Sequence, residues 1–199
     1  MVRISPNYRD KVRKHLLESA GLKKKIAHEC LKSILDAVGL IVDTFESGGK
    51  VLICGNGGSA ADSQHMAGEL VCILNKSLQR PPFAAIALTT DTSIITAWAN
   101  DMGFENIFKR QIEALGKPGD LLIAISTSGN SPNILAAAIA ARSANIHTIA
   151  LTGKGGRLQK IADVAITVPS TQTAYIQESH IAIEHIVCEL VEHHFYGHK

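Results

Sequence analysis

The chain has 199 residues, 46% of them hydrophobic, and its 20 Lys and Arg against 18 Asp and Glu give a formal net charge of +2. This length supports one domain with a full hydrophobic core. The charges are interspersed, which argues against a basic face for nucleic acid, and neither a secretion signal nor an apolar run of membrane length occurs. We therefore expect a cytoplasmic protein without nucleic-acid or membrane partners, and four cysteines without a CxxC pair fit a reducing compartment.

The apolar pattern predicts helices at both ends of the chain and five strands between them. Apolar residues at spacings of three and four predict helices over residues 7–17 and 22–47, and a final helix over about 172–195. Short apolar runs at 51–54, 83–88, 121–126, 148–151 and 164–168 are continuous rather than alternating, as in strands that are covered on both faces. The sequence predicts an α/β fold with a doubly wound, five-stranded parallel sheet flanked by helices.

A single domain accommodates all of these elements. N-terminal helices are expected over residues 1–49, the α/β core over 50–170, and a long C-terminal helix over 171–199. Connections between consecutive strands run through helices, so the sheet is expected to be wholly parallel.

Two loops, residues 54–59 (CGNGGS) and 126–132 (STSGNSP), combine glycines with hydroxyl side chains. Each follows a predicted strand and precedes a helix rich in small residues. Glycine lets the backbone approach an anion, and a helix N-terminus presents unpaired N–H groups with a partial positive charge. Neither loop contains Lys or Arg, so we expect amides and hydroxyls to hold a phosphorylated sugar at the carboxyl end of the sheet.

Ordinary turn chemistry is one alternative, because Ser is a good N-cap and Pro fits the first helical position. Ser131 is expected to cap the helix that follows it. Capping accounts for one serine only, so Ser126, Thr127 and Ser128 favour a bound ligand.

A nucleotide site is a second alternative, because residues 55–60 (GNGGSA) resemble a dinucleotide-binding fingerprint. Such a site needs an acidic residue at the end of the second strand. The chain has Thr89 and Thr90 there, and Asp91 follows too late. Neither loop carries the Gly-Lys-Ser/Thr sequence of a P-loop, so a sugar phosphate is the favoured ligand.

Two helices carry candidate acid–base or metal-binding groups. His65 and Glu69 are four residues apart and share a helix face just after the first glycine loop, and Gln177 and His185 share a face of the final helix. Two imidazoles, a carboxylate and an amide oxygen can bind a divalent metal or transfer protons.

Spacing of this kind is not specific. Single His and Glu residues on helices more often form surface ion pairs. His180 and Glu184, also four residues apart, are assigned to that class.

Four segments together resemble the phosphoheptose isomerases of the sugar isomerase (SIS) fold: residues 54–69 (CGNGGSAADSQHMAGE), 125–131 (ISTSGNS), 151–156 (LTGKGG) and 176–185 (IQESHIAIEH). The likeness covers nearly the whole chain in order. It implies a flavodoxin-like sheet and an aldose–ketose isomerase that converts D-sedoheptulose 7-phosphate to D-glycero-D-manno-heptose 7-phosphate through an enediol. That reaction begins ADP- or GDP-heptose synthesis for lipopolysaccharide or another surface polysaccharide. The resemblance also implies a cytoplasmic homotetramer with active sites between subunits.

The resemblance further implies roles for particular residues. Glu69 would be the base and His185 its acid–base partner. Zinc, one ion per subunit, would be held by His65, Glu69, Gln177 and His185. The phosphate would contact Ser126, Thr127, Ser128 and Ser131. The sugar would be lined by Asn56, Gly57, Gly58, Ser59 and Asp101, with Gln177 nearby.

One segment departs from the family pattern. Many members continue after the base with Gly-Arg and an aromatic residue, whereas this chain reads LVCILNK over residues 70–76. The missing Arg would contact the edge of the site, and Arg80 or Lys76 is expected to replace it.

Two rival functions share the fold. A DnaA-binding adaptor that promotes replication initiation resembles the chain too, but its lineage lacks a carboxylate at the position of Glu69 and has Asn at that of His185. A sugar-phosphate-sensing regulator would carry a DNA-binding extension, for which the sequence shows no helix-turn-helix-sized segment. The sequence favours the enzyme.

Overall fold

Five parallel strands form the centre of the fold in the computed structural model, which describes residues 7–197. They are β1 (Val51–Cys54), β2 (Ala85–Ala87), β3 (Leu121–Ser126), β4 (His147–Thr152) and β5 (Val164–Thr167). Their order, β2-β1-β3-β4-β5, confirms the predicted doubly wound, flavodoxin-like sheet. The winding direction reverses between β1 and β3, where ligands of such sheets bind beside the carboxyl ends of the strands.

Helices cover both faces of the sheet. One face packs against α1 (Asn7–Glu29), α2 (Leu31–Glu46), α3 (Gly58–Val71) and α8 (Thr173–Tyr196). The other packs against α4 (Thr92–Met102), α5 (Ile107–Leu115), α6 (Pro132–Ser143) and α7 (Leu158–Ile161), with a short 3₁₀ helix η1 (Phe104–Asn106) between α4 and α5. None of the described helices combines the length and apolarity needed to cross a membrane.

Each central strand supplies both hydrophobic cores. Val51 and Ile53 of β1 belong to the core under α2, α3 and α8, whereas Leu52 and Cys54 belong to the core on the opposite face. This alternation follows from the two-residue period of a strand. It explains why the run has no polar residue.

The N-terminal helices divide at a different place from the predicted one. Instead of ending near residue 17, α1 continues to Glu29, and the break lies at Cys30. A Cβ on Gly21 would meet no atom within 4 Å, so this glycine does not mark a close contact or a turn. The helix continues through it because Leu22 and Ile26, one turn apart, are both buried against the core. The final helix begins and ends within about one residue of its predicted bounds.

Two side chains of α8 that the sequence assigned to the surface are buried. His180 is 0% and Glu184 1% exposed, so the surface ion pair predicted for them is wrong. His180 Nε2 lies 3.3 Å from the Thr152 carbonyl oxygen, and the Glu184 carboxyl oxygens have no hydrogen-bond partner among the described residues. Burial lowers the pKa of His180 to about 4, and burial, aided by the nearby Asp62, raises the pKa of Glu184 to about 8. Burial therefore favours the neutral form of both groups.

Glu184→Gln should reduce the pH dependence of folding stability. The pKa of Glu184 is 4.5 in its ordinary state and about 8 when folded, so its proton binds more tightly to the folded state. The resulting stability is present below pH 4.5 and is lost as the pH rises to about 8. The measurement is urea unfolding with chelator present, at several pH values across this range. As the pH rises, the free energy of unfolding of the variant should increase relative to that of the wild type by a few kcal/mol, at about 1.4 kcal/mol per pKa unit.

Glu113→Gln is the matched control, because Glu113 is an exposed carboxylate on α5 whose ion pairs with Lys109 and Arg110 are long surface contacts of 3.8 and 3.9 Å. Its difference from the wild type should stay constant across the same pH range. A constant difference for Glu184→Gln as well would show that Glu184 does not change its protonation on folding.

Candidate active site

The glycine loop turns the chain from β1 into α3. Gly57 occupies the N-cap position with φ of +55°, a conformation that glycine adopts without strain. A Cβ on Gly58 would lie 2.3 Å from Nε2 of Gln177, so the amide of α8 rests directly on the first residue of α3. Gln177 is thereby placed at the glycine loop, as the sequence predicts for a site residue.

The hydroxyl-rich loop turns the chain from β3 into α6. The Ser126 and Ser131 hydroxyls lie 3.1 Å apart, and the Ser128 hydroxyl accepts a hydrogen bond from the Asn130 N–H. Ser131 holds the N-cap position of α6 but makes no side-chain cap bond, so the expectation that it caps the helix is wrong. Its hydroxyl contacts Ser126 instead, which leaves both groups beside a helix N-terminus that favours anions.

Asn56 and Asn133 join the two loops. The Asn56 side-chain amide donates to Asn133 Oδ1 at 2.9 Å, and the Asn133 amide donates to Asn56 Oδ1 at 2.8 Å. Asn133 was not among the predicted site residues. It follows Pro132 in the first turn of α6, a position that sequence reasoning assigns to the helix start, and only the pairing of β1 with β3 brings it beside Asn56.

A third glycine-containing segment, after β4, supports the hydroxyl-rich loop. The N–H groups of Arg157 and Leu158 both donate to the Gly129 carbonyl oxygen, and Gly153 N–H donates to that of Thr127. A Cβ on Gly129 would lie 2.9 Å from the Gly155 carbonyl oxygen. The Asn130 side chain adds a further contact, because its Oδ1 accepts the Arg157 N–H at 3.1 Å. The loop is therefore held in place mainly by backbone groups of this segment.

His65, Glu69 and His185 form a cluster between α3 and α8. Their ligand atoms all lie within 4.8 Å of one another. His65 Nε2 is 2.8 Å from His185 Nε2 and 3.5 Å from Glu69 Oε1. The side chains of His65 and Glu69 are 40% and 22% exposed, so solvent and a small ligand can reach them.

The cluster suits zinc by chemistry and by size. Two imidazoles and one carboxylate are a frequent ligand set of catalytic zinc, which keeps a further position open. Bonds of about 2.0–2.1 Å in a tetrahedron place ligand atoms about 3.3 Å apart. The 2.8 Å and 3.5 Å separations lie on either side of that value.

Ser59 and Asp101, two of the residues predicted to line the sugar, lie apart from the cluster. Ser59 is only 3% exposed, and its carbonyl oxygen accepts the Ser63 hydroxyl inside α3. Asp101 is exposed near the end of α4, where it accepts a hydrogen bond from the Asn100 amide.

Arg80 does not replace the missing family arginine at the edge of the site. Its side chain is fully buried, and it donates to Glu192 and to the carbonyl oxygens of Glu69 and Pro81. The guanidinium therefore has no face for a substrate. Lys76 is exposed on the same connection.

Comparison with known proteins agrees with this geometry. The SIS domain family matches residues 14–153. A phosphoheptose isomerase of Chlorobaculum parvum is 50% identical over 190 residues, covering 94% of this chain and 91% of the relative. The structure of phosphoheptose isomerase GmhA from Neisseria gonorrhoeae has a TM-score of 0.87 at 41% identity, covering 92% of this chain and 98% of its own.

A second solved structure gives the same result. The phosphoheptose isomerase from Francisella tularensis has a TM-score of 0.89 at 40% identity, covering 93% of this chain and 98% of its own. These similarities extend over nearly the full length of each protein. The chain therefore belongs to the SIS-domain family and, within it, to the phosphoheptose isomerases.

Proposed function

We propose that this protein isomerises D-sedoheptulose 7-phosphate to D-glycero-D-manno-heptose 7-phosphate. The observation that carries the proposal is the cluster of His65, Glu69 and His185 on α3 and α8. The α3 helix begins in the glycine loop, and α8 contacts it through Gln177. The reaction is assigned to the cytoplasm, as the start of heptose synthesis for a surface polysaccharide. The four free cysteines suit that reducing compartment.

The proposed chemistry moves a proton between neighbouring carbons. Glu69 removes a proton from C1 of the ketose, which gives an enediol, and returns it to C2 to form the aldose. The hydroxyl proton must move from O1 to O2 in the same reaction. We assign this transfer to His185 on the opposing helix, because an imidazole can both donate and accept a proton.

The hydroxyl-rich loop is the proposed phosphate site. Ser126, Thr127, Ser128 and Ser131 would donate hydroxyl hydrogen bonds beside the N-terminus of α6. The sugar would lie between this loop and α3, lined by Asn56, Gly57, Gly58, Ser59, Asp101 and Gln177. The reciprocal bonds between Asn56 and Asn133 support this arrangement, since they fix one loop relative to the other.

Zinc is the proposed cofactor, held by His65, Glu69, Gln177 and His185. A bound zinc ion would polarise the substrate carbonyl as a Lewis acid. In this proposal Glu69 is both a metal ligand and the base. These two roles compete, because a carboxylate that binds a metal is a weaker base than a free one. Gln177 lies against Gly58, at the start of the helix that carries His65 and Glu69.

Glu69→Gln should abolish turnover and leave substrate binding largely intact. The amide keeps the shape of the side chain but cannot accept the proton, so kcat should fall by about 10²–10⁴-fold. The measurement is conversion of sedoheptulose 7-phosphate to the aldose, followed by NMR, with binding measured separately by calorimetry.

Ser128→Ala is the matched comparison, because its hydroxyl is assigned to the phosphate, far from the reacting carbons. It should raise KM more than it lowers kcat. Near-normal turnover by Glu69→Gln would reject Glu69 as the base, and no turnover by the wild type would favour the adaptor function over the enzyme.

His65→Ala should lower zinc binding when protein purified without chelator is analysed for metal. The expected loss is at least 10-fold in affinity, because one of the clustered ligand atoms is removed. His147→Ala is the control, since His147 is an exposed histidine beside Asp163 at the start of β4. Equal zinc binding by His65→Ala and the wild type would leave the cluster with an acid–base role only.

A homotetramer is the proposed assembly. Leu31 and Leu35 of α2 and Ile186 and Leu190 of α8 are exposed along one side of the molecule, where they line an apolar groove of about 280 Å³ with α1. A continuous apolar surface of this kind is usually covered by a partner. A second copy of the chain fits best, because long helices with apolar stripes pack well against their own kind.

Light scattering should give a mass near four times 21.3 kDa for the wild type. Leu35→Glu, which places a charge in the groove, should give a smaller species. Ile139→Glu is the control, since Ile139 is equally exposed but lies on α6, on the other side of the sheet. A wild-type mass of one subunit would reject the proposal.

A further inference from the structure

Arg80 and Glu192 form an ion pair that is entirely shielded from solvent. Arg80 Nε lies 2.8 Å from Glu192 Oε1, and the two side chains are 0% and 1% exposed. The carboxylate also accepts the N–H groups of Leu74 and Asn75. A buried ion pair offsets the cost of removing two charges from water only when its geometry is good and both charges are fully hydrogen-bonded. The relative position of Arg80 and Glu192 is therefore tightly defined.

The same guanidinium reaches the helix that carries Glu69. Arg80 Nη2 donates to the Glu69 carbonyl oxygen at 2.8 Å. The α3 helix ends at Val71, so this carbonyl lies in the last turn, where the normal helical donor is missing. Arg80 supplies that donor.

The other end of the pair is fixed to the helix that carries His185. Glu192 follows His185 by seven residues on α8, which is two helical turns and therefore the same face. The contacts thus run from Glu69 through Arg80 and Glu192 to the face of α8 that presents His185.

We propose that Arg80 is a positioning residue, which sets the separation between Glu69 on α3 and His185 on α8. It does so without touching the substrate. This inference rests on the proposed roles of Glu69 and His185, and it adds a residue that the family resemblance did not supply.

Only arginine can make this set of contacts. Its planar fork donates in several directions at once, to Glu192, to Glu69 and to Pro81, and it stacks 4.4 Å from the centre of the Phe83 ring. A lysine would keep the charge but has one nitrogen, which cannot reach all of these acceptors.

Arg80→Lys is the first test, with zinc alone and sedoheptulose 7-phosphate as probes. We expect kcat to fall and zinc affinity to weaken, each by about 10-fold or more, as when an outer partner of a ligand is removed. KM should change little, because Arg80 is remote from the phosphate loop. Zinc affinity is measured by competition with a chromogenic chelator, at a temperature where circular dichroism shows the variant folded.

Lys50→Met is the control, because it breaks a second, partly buried ion pair. Lys50 pairs with Asp120 where β1 and β3 begin, at the edge of the sheet opposite to the site. This variant should lower the thermal midpoint without changing kcat or zinc affinity. A role of Arg80 in stability alone predicts that both variants behave alike, and that result would overturn the proposal.

A double variant covers the case in which Arg80→Lys does not fold. Arg80→Met with Glu192→Gln removes both charges together and keeps one acceptor, the amide oxygen, for one of the Leu74 and Asn75 N–H groups. The proposal predicts the same losses of kcat and of zinc affinity for this variant. Wild-type kcat and zinc affinity in this variant would overturn it. Failure of the proposed function is distinguishable, because it would appear as an inactive wild type or an active Glu69→Gln variant.

Discussion

The packing of α3 against α8 is the interaction on which the candidate site depends. Contacts fix it at three levels: Gln177 lies on Gly58 at the start of α3, His65 meets His185 at 2.8 Å in the middle, and Arg80 joins the final turn of α3 to α8. Sliding either helix along the other would break all three together. The spacing of the acid–base groups is therefore a property of the whole helix pair, which neither helix could set alone.

The strands and loops around this site could be predicted from the sequence because each of them is encoded by a short run of neighbouring residues. The apolar runs of β1 and β3 and the glycine and hydroxyl loops that follow them have few alternative structures. Parallel pairing then places both loops at one edge of the sheet. Helical periodicity put His65 beside Glu69, but it could not join α3 to α8, and only the family resemblance connected them before the structure did.

The wrong expectations have a common physical cause. Periodicity identifies which residues share a helix face, yet it does not say which faces are covered when a helix lies between a sheet and other helices. His180 and Glu184 are polar residues on a covered face of α8. Their spacing is typical of a surface ion pair, but both side chains are buried in the core. The prediction that Arg80 lies at the edge of the site fails for a related reason. Its partner Glu192 lies 112 residues away in the sequence, so no local pattern shows that the two side chains are buried together.

The proposed phosphate site is built without cationic side chains. The loops proposed to hold the phosphate, residues 54–59 and 126–132, contain no Lys or Arg, and neutral donors bind an anion less strongly than cations do. Tight uniform binding would not increase kcat, so an exchangeable phosphate suits turnover. The buried cation Arg80 instead contacts Glu192 and the carbonyl oxygen of Glu69, and burial favours the neutral form of Glu184. In the arrangement that we propose, a buried charge therefore serves the geometry of the helix pair, while neutral donors contact the phosphate.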